Sequence, residues 1–468
     1  MRKTVSAPFA AYRLAWRLLL PAVRLLVAAD AGMARVPGRG IIPERWRAAE
    51  RLGYGWGGGE GGCGGTIWFH CASLGEAKGM WALVSALGGS GDILVTANTA
   101  EGAACLEERC DALRAAAARV PAQGPPGTSR SIRACVAPFD HPGLVRRFLE
   151  VHRVRGLCLY EAELWPHYLA ACREAGVPAA LVSGRLSPRA FRAYRGFSGA
   201  ASSLLEGLAF IEAQTVEDAE RYSALLGKRR GAGTHVRVGY DYKAAHYLRS
   251  FATESMPGGA EARETPLRTR FAFFSIHAEE LAWFRTSLPD LMRRFDLAVF
   301  PRHMGQVEKF RNELEPLGFA LHSRDPYARH LLVDSMGKIG SMIRECHSAF
   351  VGGSLAAAGC HNLWEPLLGG LKTYFGPNHA NQEPLASRML SRGLAEVVAD
   401  PTQIATWSVP DTGIRAAAAN LAEESRQEAD SALRECAGTI FATFYGTGGL
   451  AAGILKPARD LRTQGWNT

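Results

Sequence analysis

Short apolar runs alternate with amphipathic stretches through the first half of the chain. The runs end in polar or glycine-containing turns, a pattern typical of strands that are buried on both faces of a parallel sheet. The stretches between them carry apolar residues at helical spacing. Strands are predicted at residues 66–73, 92–96, 134–137, 156–160, 179–183 and 209–213, and helices at 76–87, 142–151, 165–175 and 216–226.

The same alternation restarts after a polar stretch at residues 253–266. It predicts strands at 271–276, 296–301, 330–334, 348–351 and 372–375, helices at 279–288, 305–316, 339–345 and 382–391, and a helical run from 414 to about 444. Regular alternation of strands and helices favours an α/β fold with two doubly wound, Rossmann-like domains and a cleft between them. Ligands of such sheets bind at the carboxyl ends of the strands.

Changes in composition divide the chain further. Residues 51–65 are rich in glycine and form a flexible tether that cannot build a core. We therefore expect five segments along the chain. They are an N-terminal amphipathic, membrane-associated segment (1–50), the tether (51–65), a first domain (66–240), a second domain (241–425), and a C-terminal helix and tail (426–468).

The segment 9–29 is strongly apolar but contains Arg13, Arg17 and Arg24. On a helix these arginines fall within about 40° of one another and leave a broad apolar face. Mid-span arginines disfavour a transmembrane helix, and a signal peptide would have an uninterrupted apolar core. The pattern favours an amphipathic helix in the membrane interface, and the alternative is a helix packed on the protein's own surface.

Charge and cysteine content narrow the class of partner. The 468 residues carry a net charge of +9, which favours anionic partners such as phosphate-bearing substrates or an anionic membrane surface. Nucleic acid is not expected, because no basic stretch is interleaved with stacking aromatics. The ten cysteines show no metal-ligand spacing, so we expect a reducing compartment and no metal site.

Three groups of polar residues in the first half have alternative roles. Glu76 follows Ser73 at capping-box spacing, so it either closes a helix start or faces the cleft as a general base whose pKa is raised by partial burial. Glu161 and Glu163 follow a predicted strand and cannot both be buried without partners. The arginines at 185 and 189 follow the next strand, where they suit a phosphate or carboxylate, or else pair with the two glutamates.

In the second half, four loops at predicted strand ends converge on one rim. Gly352-Gly353 allows close approach of the backbone to a ligand, and Asn362 and Glu365 are one helical turn apart, so both can face it. The segments 301–303 and 336–338 add a cation and backbone groups at two further strand ends. This combination indicates a pocket for a nucleotide or sugar phosphate. The alternative is a tight strand-to-helix turn with a capping Asn.

Together these segments resemble the family of Kdo transferases, which add 3-deoxy-D-manno-octulosonate (Kdo) to the lipid A precursor of Gram-negative bacteria. The resemblance spans roughly residues 40–400. The matching segments, in family order, are HCASLGE, EAELWP, SGRLSPR, QTVEDAERY, FPRH, VDSMG, FVGGSL and GCHNLWEP.

The resemblance implies a GT-B fold with an N-terminal acceptor-binding domain and a C-terminal nucleotide-sugar-binding domain. It implies an inverting, metal-independent glycosyltransferase that needs no cofactor and moves Kdo from CMP-Kdo to a lipid A precursor, at the cytoplasmic face of the inner membrane. By resemblance Glu76 is the proton acceptor, Glu161 stabilises the transition state, and Lys243, one position later than the family's lysine, does the same. The implied CMP-binding residues are Pro301, Arg302, Met336, Gly337, Lys338, Asn362, Leu363, Trp364 and Glu365.

The residues leave two other functions open. One is a GT-B enzyme that uses a different nucleotide sugar or a wall-polymer acceptor. Lys338 bears on the donor preference, because the family usually has an acidic residue at this position. The other is a catalytically weak relative that binds lipid. The number of Kdo residues transferred, the lipid A variant accepted and the oligomeric state are not encoded in any pattern of the sequence.

Overall fold

A computed structural model describes residues 7–33, 47–56, 65–87, 91–118, 131–227, 234–254, 270–335, 337–399, 403, 407 and 413–445. Several predictions lie outside these residues. They are most of the glycine-rich tether, most of the linker at 253–266, the tail after 445, and the position of Met336.

The chain divides into two compact units. The first domain contains residues 1–246 and 429–468, and the second contains residues 247–428. The sequence predicts domain boundaries at 240/241 and 425/426. In the structure, residues 241–246 and the last part of the C-terminal helix belong to the first domain instead.

The first domain has a seven-stranded sheet in the order β3-β2-β1-β4-β5-β6-β7, with every pair parallel. Its strands are β1 (Thr66–Cys71), β2 (Asp92–Ala97), β3 (Ile132–Val136), β4 (Val154–Tyr160), β5 (Ala179–Gly184), β6 (Leu208–Ala213) and β7 (His235–Val238). Its helices are α1 (Ala7–Met33), α2 (Ala48–Arg51), α3 (Leu74–Ala86), α4 (Ala100–Ala118), α5 (Pro142–Val151), α6 (Pro166–Glu174), α7 (Pro188–Gly196), α8 (Ser198–Leu205), α9 (Val216–Leu226) and the start of α10 (Tyr242–Glu254).

The second domain repeats this architecture with the strand order β10-β11-β9-β8-β12-β13-β14, again all parallel. Its strands are β8 (Arg270–Ile276), β9 (Asp296–Pro301), β10 (Ala320–Leu321), β11 (Leu331–Leu332), β12 (Cys346–Val351), β13 (Lys372–Phe375) and β14 (Ala395–Val397). Its helices are α11 (Ala278–Phe284), α12 (Leu288–Arg294), α13 (Val307–Leu314), α14 (Ile339–Met342), α15 (Trp364–Leu368), α16 (Glu383–Ser391) and the first half of α17 (Gly413–Tyr445).

Both sheets are covered on both faces, which is why their central strands are apolar almost throughout. All six residues of β1 and all six of β2 are buried. In the first domain Trp68 packs against Phe148 with ring centroids 4.6 Å apart. In the second domain Phe271 stacks on Trp407 at 4.6 Å and an interplanar angle of 5°. These aromatic side chains fill the space between sheet and helices and fix the strand ends that carry polar residues.

The predicted strands of both halves are confirmed, and so is the α/β fold with two doubly wound domains. The pattern missed β7, β10 and β14, which are short edge or near-edge strands with too few apolar residues to stand out. It also predicted one helix over 279–288 where the structure has α11 and α12. Residues 285–287 interrupt the helix just before Pro289, which cannot donate a backbone hydrogen bond.

Helix α1 presents apolar residues on two sides. Leu20 and Val27 are buried against α2 and α5, and the Tyr12 hydroxyl donates to Asp140 Oδ2 at 2.8 Å. On another side Leu18 and Leu25 are 70% and 72% exposed. The helix therefore packs on the protein's own surface, as the alternative interpretation expected, and still shows an apolar face to solvent. Among the described helices none is long and apolar enough to cross a membrane.

Candidate active site

Three residues at strand ends adopt the left-handed backbone conformation that non-glycine residues rarely take. Glu161 follows β4 at φ 59°, Ser183 lies at the end of β5 at φ 51°, and Ser275 lies near the end of β8 at φ 54°. Strain of this kind costs on the order of 1–3 kcal/mol per residue and concentrates at functional sites. It directs attention to the carboxyl edge of each sheet.

In the first domain the Glu161 carboxylate forms an ion pair with the ammonium of Lys243. Burial raises the pKa of Glu161, and the nearby Glu76 and Asp241 carboxylates add to the rise, whereas Lys243 opposes it. The side chain of Lys243 is 30% exposed. The lysine that comes one position late in the sequence therefore still reaches the carboxylate at the end of β4.

A buried network fixes the segment that carries Lys243. The hydroxyl of Tyr242 donates to Glu212 Oε1 at 2.5 Å, and Arg237 Nε donates to Glu212 Oε2 at 2.9 Å. The backbone amide of Lys243 itself donates to Asp241 Oδ1 at 2.9 Å. Tyr242 is fully buried. These contacts hold the start of α10 in one register, so that Lys243 points to Glu161.

Glu76 lies at the start of α3 with both carboxylate oxygens accepting hydrogen bonds from its own helix start. The Ala72 amide donates to Oε2 at 2.7 Å and the Ser73 hydroxyl donates to Oε1 at 3.0 Å, while the Glu76 amide faces Ser73 Oγ at 3.4 Å. Ser73 caps α3 as the spacing predicted, but the Glu76 side chain accepts from the Ala72 amide and not from the Ser73 amide, so the capping box is incomplete. Glu76 is only partly buried, and its carboxylate contributes to the raised pKa of Glu161.

One turn further along α3, Gly79 lets the helix approach the strand end closely. A Cβ at this position would lie 2.2 Å from the Tyr160 hydroxyl and 3.0 Å from both Cγ and the backbone nitrogen of Lys243. Only glycine fits there. Gly79 thus lets α3, which carries Glu76, pack against Lys243 and against Tyr160, the residue before Glu161.

Glu163 has partners other than the arginines considered above. Its Oε2 accepts from Trp165 Nε1 at 2.5 Å and from Asn98 Nδ2 at 3.2 Å, and it lies 3.8 Å from Nε2 of the buried His70. Burial alone would raise the pKa of Glu163, but His70 and the hydrogen bonds outweigh it and the pKa is lowered. Within the described part of the chain neither Arg185 nor Arg189 pairs with Glu161 or Glu163, and both arginines are exposed.

In the second domain the Gly352-Gly353 turn after β12 is held by a buried carboxylate. Glu280 Oε2 accepts from the amides of His277 at 3.0 Å and Gly353 at 2.8 Å, and Oε1 accepts from the amide of Leu355 at 3.0 Å. Glu280 is 2% exposed. It ties the β8–α11 turn to the glycine turn, so the two loops form one rigid unit.

Imidazoles from three strand-end loops meet beside this turn. Nε2 of His277 lies 2.8 Å from Nε2 of His361, and the two rings stack with centroids 5.0 Å apart. The ring of His303, which follows Arg302 after β9, is 5.7 Å from that of His277. Burial lowers the pKa of His361 to about 4, with contributions from Arg302, His277 and His303.

The predicted nucleotide segments lie at the same edge, with one correction. Asn362 and Glu365 were expected one helical turn apart, but α15 begins only at Trp364. Asn362 instead accepts from the Trp364 amide at 3.0 Å through Oδ1, which forms an Asx turn just before the helix, whose N-cap residue is Leu363. Both Asn362 and Glu365 are partly exposed, and Leu363 and Trp364 are buried.

The other predicted donor residues are placed as follows. Pro301 ends β9 and is buried, and Arg302 is exposed while its amide donates to the Ile276 carbonyl at 2.9 Å. Gly337 has φ 75° in an exposed turn, and Lys338 is exposed at the start of α14.

Sequence reasoning missed His277, Glu280 and His361. The signal for the first two is the segment SIHAEE directly after an apolar strand, where the histidine and glutamate have capping-box spacing. His361 lies inside the GCHNLWEP segment but was not assigned a role. Across the residues that the structure describes, no group of three histidine, cysteine or carboxylate side chains is arranged to hold a metal ion.

The solved structure of a UDP-N-acetylglucosamine 2-epimerase is similar to this chain, with a TM-score of 0.51 and 11% identity over 84% of this chain and 99% of the epimerase. At this identity the likeness concerns the fold alone. The two parallel seven-stranded sheets, each with helices on both faces, are of the GT-B class.

A family model described as 3-deoxy-D-manno-octulosonic-acid transferase matches residues 44–242. The 3-deoxy-D-manno-octulosonic acid transferase of Bordetella pertussis is 29% identical over 358 residues, which cover 73% of this chain and 78% of that protein. The transferase of the same name from Aquifex aeolicus is 22% identical over 74% of this chain and 85% of its own length. The first half of the chain thus matches the Kdo transferase domain, and the chain is similar over about three quarters of its length to Kdo transferases, which are glycosyltransferases.

Proposed function

We propose that this protein transfers Kdo from CMP-Kdo to a lipid A precursor, with inversion at the sugar carbon and without a metal ion. The observation that carries the proposal is the family match, whose region contains Glu76 and Glu161 and reaches to Tyr242. The Glu161–Lys243 ion pair at the strand end supports it, because it supplies a fixed charged pair beside a capped glutamate.

In the proposed reaction a hydroxyl of the acceptor attacks the anomeric carbon of Kdo, and Glu76 accepts the hydroxyl proton. The bond from that carbon to the phosphate oxygen breaks, and its electron pair remains on the CMP that leaves. Glu76 must exchange its hydrogen bonds with Ala72 and Ser73 for the acceptor hydroxyl, a change of rotamer at an exposed helix start. Glu161 and Lys243 stabilise the charge that develops in the transition state.

The donor is assigned to the second domain. Arg302, Gly337 and Lys338 and the segment from Asn362 to Glu365, together with Pro301 and Met336, are the proposed CMP-binding residues. The exposed cationic side chains of Arg302 and Lys338 at strand ends support this assignment, since a phosphate needs such partners.

The acceptor is a lipid, and the exposed apolar face of α1 contacts the membrane that contains it. Leu14, Leu18 and Leu25 are each more than half exposed on this helix, next to the exposed Arg24. Apolar side chains beside a cation suit the interface of an anionic bilayer. We propose that this contact is made at the cytoplasmic face of the inner membrane.

Exchanging Glu76 for Gln tests the assigned base against a purely structural cap. If Glu76 is the base, its replacement lowers kcat by about 10²–10⁴-fold, the usual range for general base catalysis. Ser73→Ala is the matched variant, because it removes the capping hydroxyl, costs about 1 kcal/mol of stability and retains most of the turnover. If both variants lose activity only in proportion to stability, Glu76 is a helix cap and the proposed mechanism is wrong.

A further inference from the structure

The two histidines of the second domain that face each other have no assigned role in the proposed reaction. Their Nε2 atoms are 2.8 Å apart, a distance that requires one proton between them. One imidazole therefore donates and the other accepts. A second proton on the accepting nitrogen would place two N–H groups against each other, so the pair holds at most one positive charge while this contact exists.

The surrounding structure builds this contact. The amide of His277 is fixed by Glu280, and the amide of His361 donates to the Gly352 carbonyl at 3.0 Å. A Cβ on Gly353 would lie 2.9 Å from the His361 ring, so the glycine turn makes the space that the imidazole occupies. Each ring thus comes from a different strand-end loop and is held in place by buried backbone contacts.

The charges around the pair are not neutralised within the described residues. Arg302 and His303 lie beside it, and neither they nor the pair form an ion pair with a described carboxylate. The Glu280 carboxylate is occupied by three backbone amides. Burial raises the pKa of the Cys360 thiol to about 12, which keeps that neighbour neutral. A cluster of cationic and imidazole side chains at a strand end suits an anion.

We propose that the His277–His361 pair binds the phosphate of the nucleotide. The pair takes up one extra proton when CMP has separated from the sugar and is still bound to the protein. This inference rests on the proposed function. The donor carries one negative charge on its phosphodiester, whereas released CMP is a phosphomonoester with a second pKa near 6 and carries nearly two. The shared proton stays between the two Nε2 atoms, and the added proton lies on an outer ring nitrogen of the pair, where it faces the phosphate.

Calorimetric titration of the full chain with CMP and with cytidine, in two buffers of different ionisation enthalpy near neutral pH, tests this inference. CMP binding to the unmodified protein should take up a fraction of a proton up to one. His277→Gln should abolish this uptake and weaken CMP by about 10-fold, the loss of one charge-assisted hydrogen bond, with cytidine affinity unchanged. His361→Gln is a second variant with the same expected loss.

His347→Gln is the control, because His347 lies at the opposite, amino end of β12. It should match the unmodified protein. Unchanged CMP affinity and proton uptake in both test variants would overturn the role of the pair, and so would an equal loss of CMP and cytidine binding, which marks a structural role. Failure of CMP to bind the unmodified protein would instead overturn the proposed donor.

Discussion

Gly79 offers the sharpest test of how the first domain is built around its candidate site. In Gly79→Ala the new methyl would lie 2.2 Å from the Tyr160 hydroxyl and 3.0 Å from the Lys243 backbone nitrogen, so a buried ring or the start of α10 must move. Overpacking of this kind costs about 1–3 kcal/mol, and the better helix propensity of Ala returns about 1 kcal/mol. We expect a net loss of up to about 2 kcal/mol.

Gly75→Ala is the matched control on the same helix. Its Cβ would have Lys243 Cε as its nearest neighbour at 4.0 Å, an ordinary contact, so the substitution should be neutral or stabilise by up to about 1 kcal/mol. For a domain of this size each kcal/mol moves Tm by roughly 2–4 °C.

Thermal unfolding followed by circular dichroism measures both variants. Tyr160→Phe removes the hydroxyl that the new methyl meets, so adding it to Gly79→Ala should restore part of the lost Tm, a non-additive effect. Equal Tm shifts for the two alanine variants, or no recovery in the double variant, would refute the close approach of α3 to the end of β4.

Three further predictions follow from particular contacts. Tyr242→Phe removes the hydrogen bond to Glu212 and should lower kcat several-fold with little change in KM for CMP-Kdo, because Lys243 is less firmly positioned; a change confined to KM would contradict this. Leu18→Asp should weaken co-sedimentation with anionic lipid vesicles by at least about 10-fold, while Leu113→Asp, an exposed leucine on α4, should not; equal effects would separate α1 from membrane binding. Burial lowers the pKa of His152 to about 4, so the unfolded chain binds a proton at a higher pH than the folded chain does. The free energy of unfolding should therefore fall as the pH drops from about 6.5 to 4, by at most roughly 3 kcal/mol. His152→Leu should make the free energy of unfolding in urea less dependent on pH in this range, and an unchanged pH dependence would exclude His152 as the cause.

The fold was predictable because its central strands are buried on both faces and leave continuous apolar runs. β1 and β12 are examples, and in both cases the polar residues after the strand also came out at the predicted edge. Short strands such as β14 have no such run. Their position depends on pairing with a neighbour, which a local pattern does not contain.

The candidate site was predictable only where its residues lie in one segment. The capping contact of Glu76 is local and follows from its spacing to Ser73. The contact between Glu161 and Lys243 joins distant parts of the chain, so the apparent one-residue shift of the lysine could not be evaluated from the sequence. The same holds for His277 and His361, which are brought together only by the parallel order of β8 and β12.

The identity of the donor is tested most directly by a transfer assay with the unmodified protein. The protein is incubated with a lipid A precursor and, in separate reactions, with CMP-Kdo, other CMP-sugars and UDP-sugars, and the lipid product is analysed by mass spectrometry. We predict a product heavier by one or more Kdo units with CMP-Kdo alone. Turnover with a UDP-sugar and none with CMP-Kdo would contradict the proposed function.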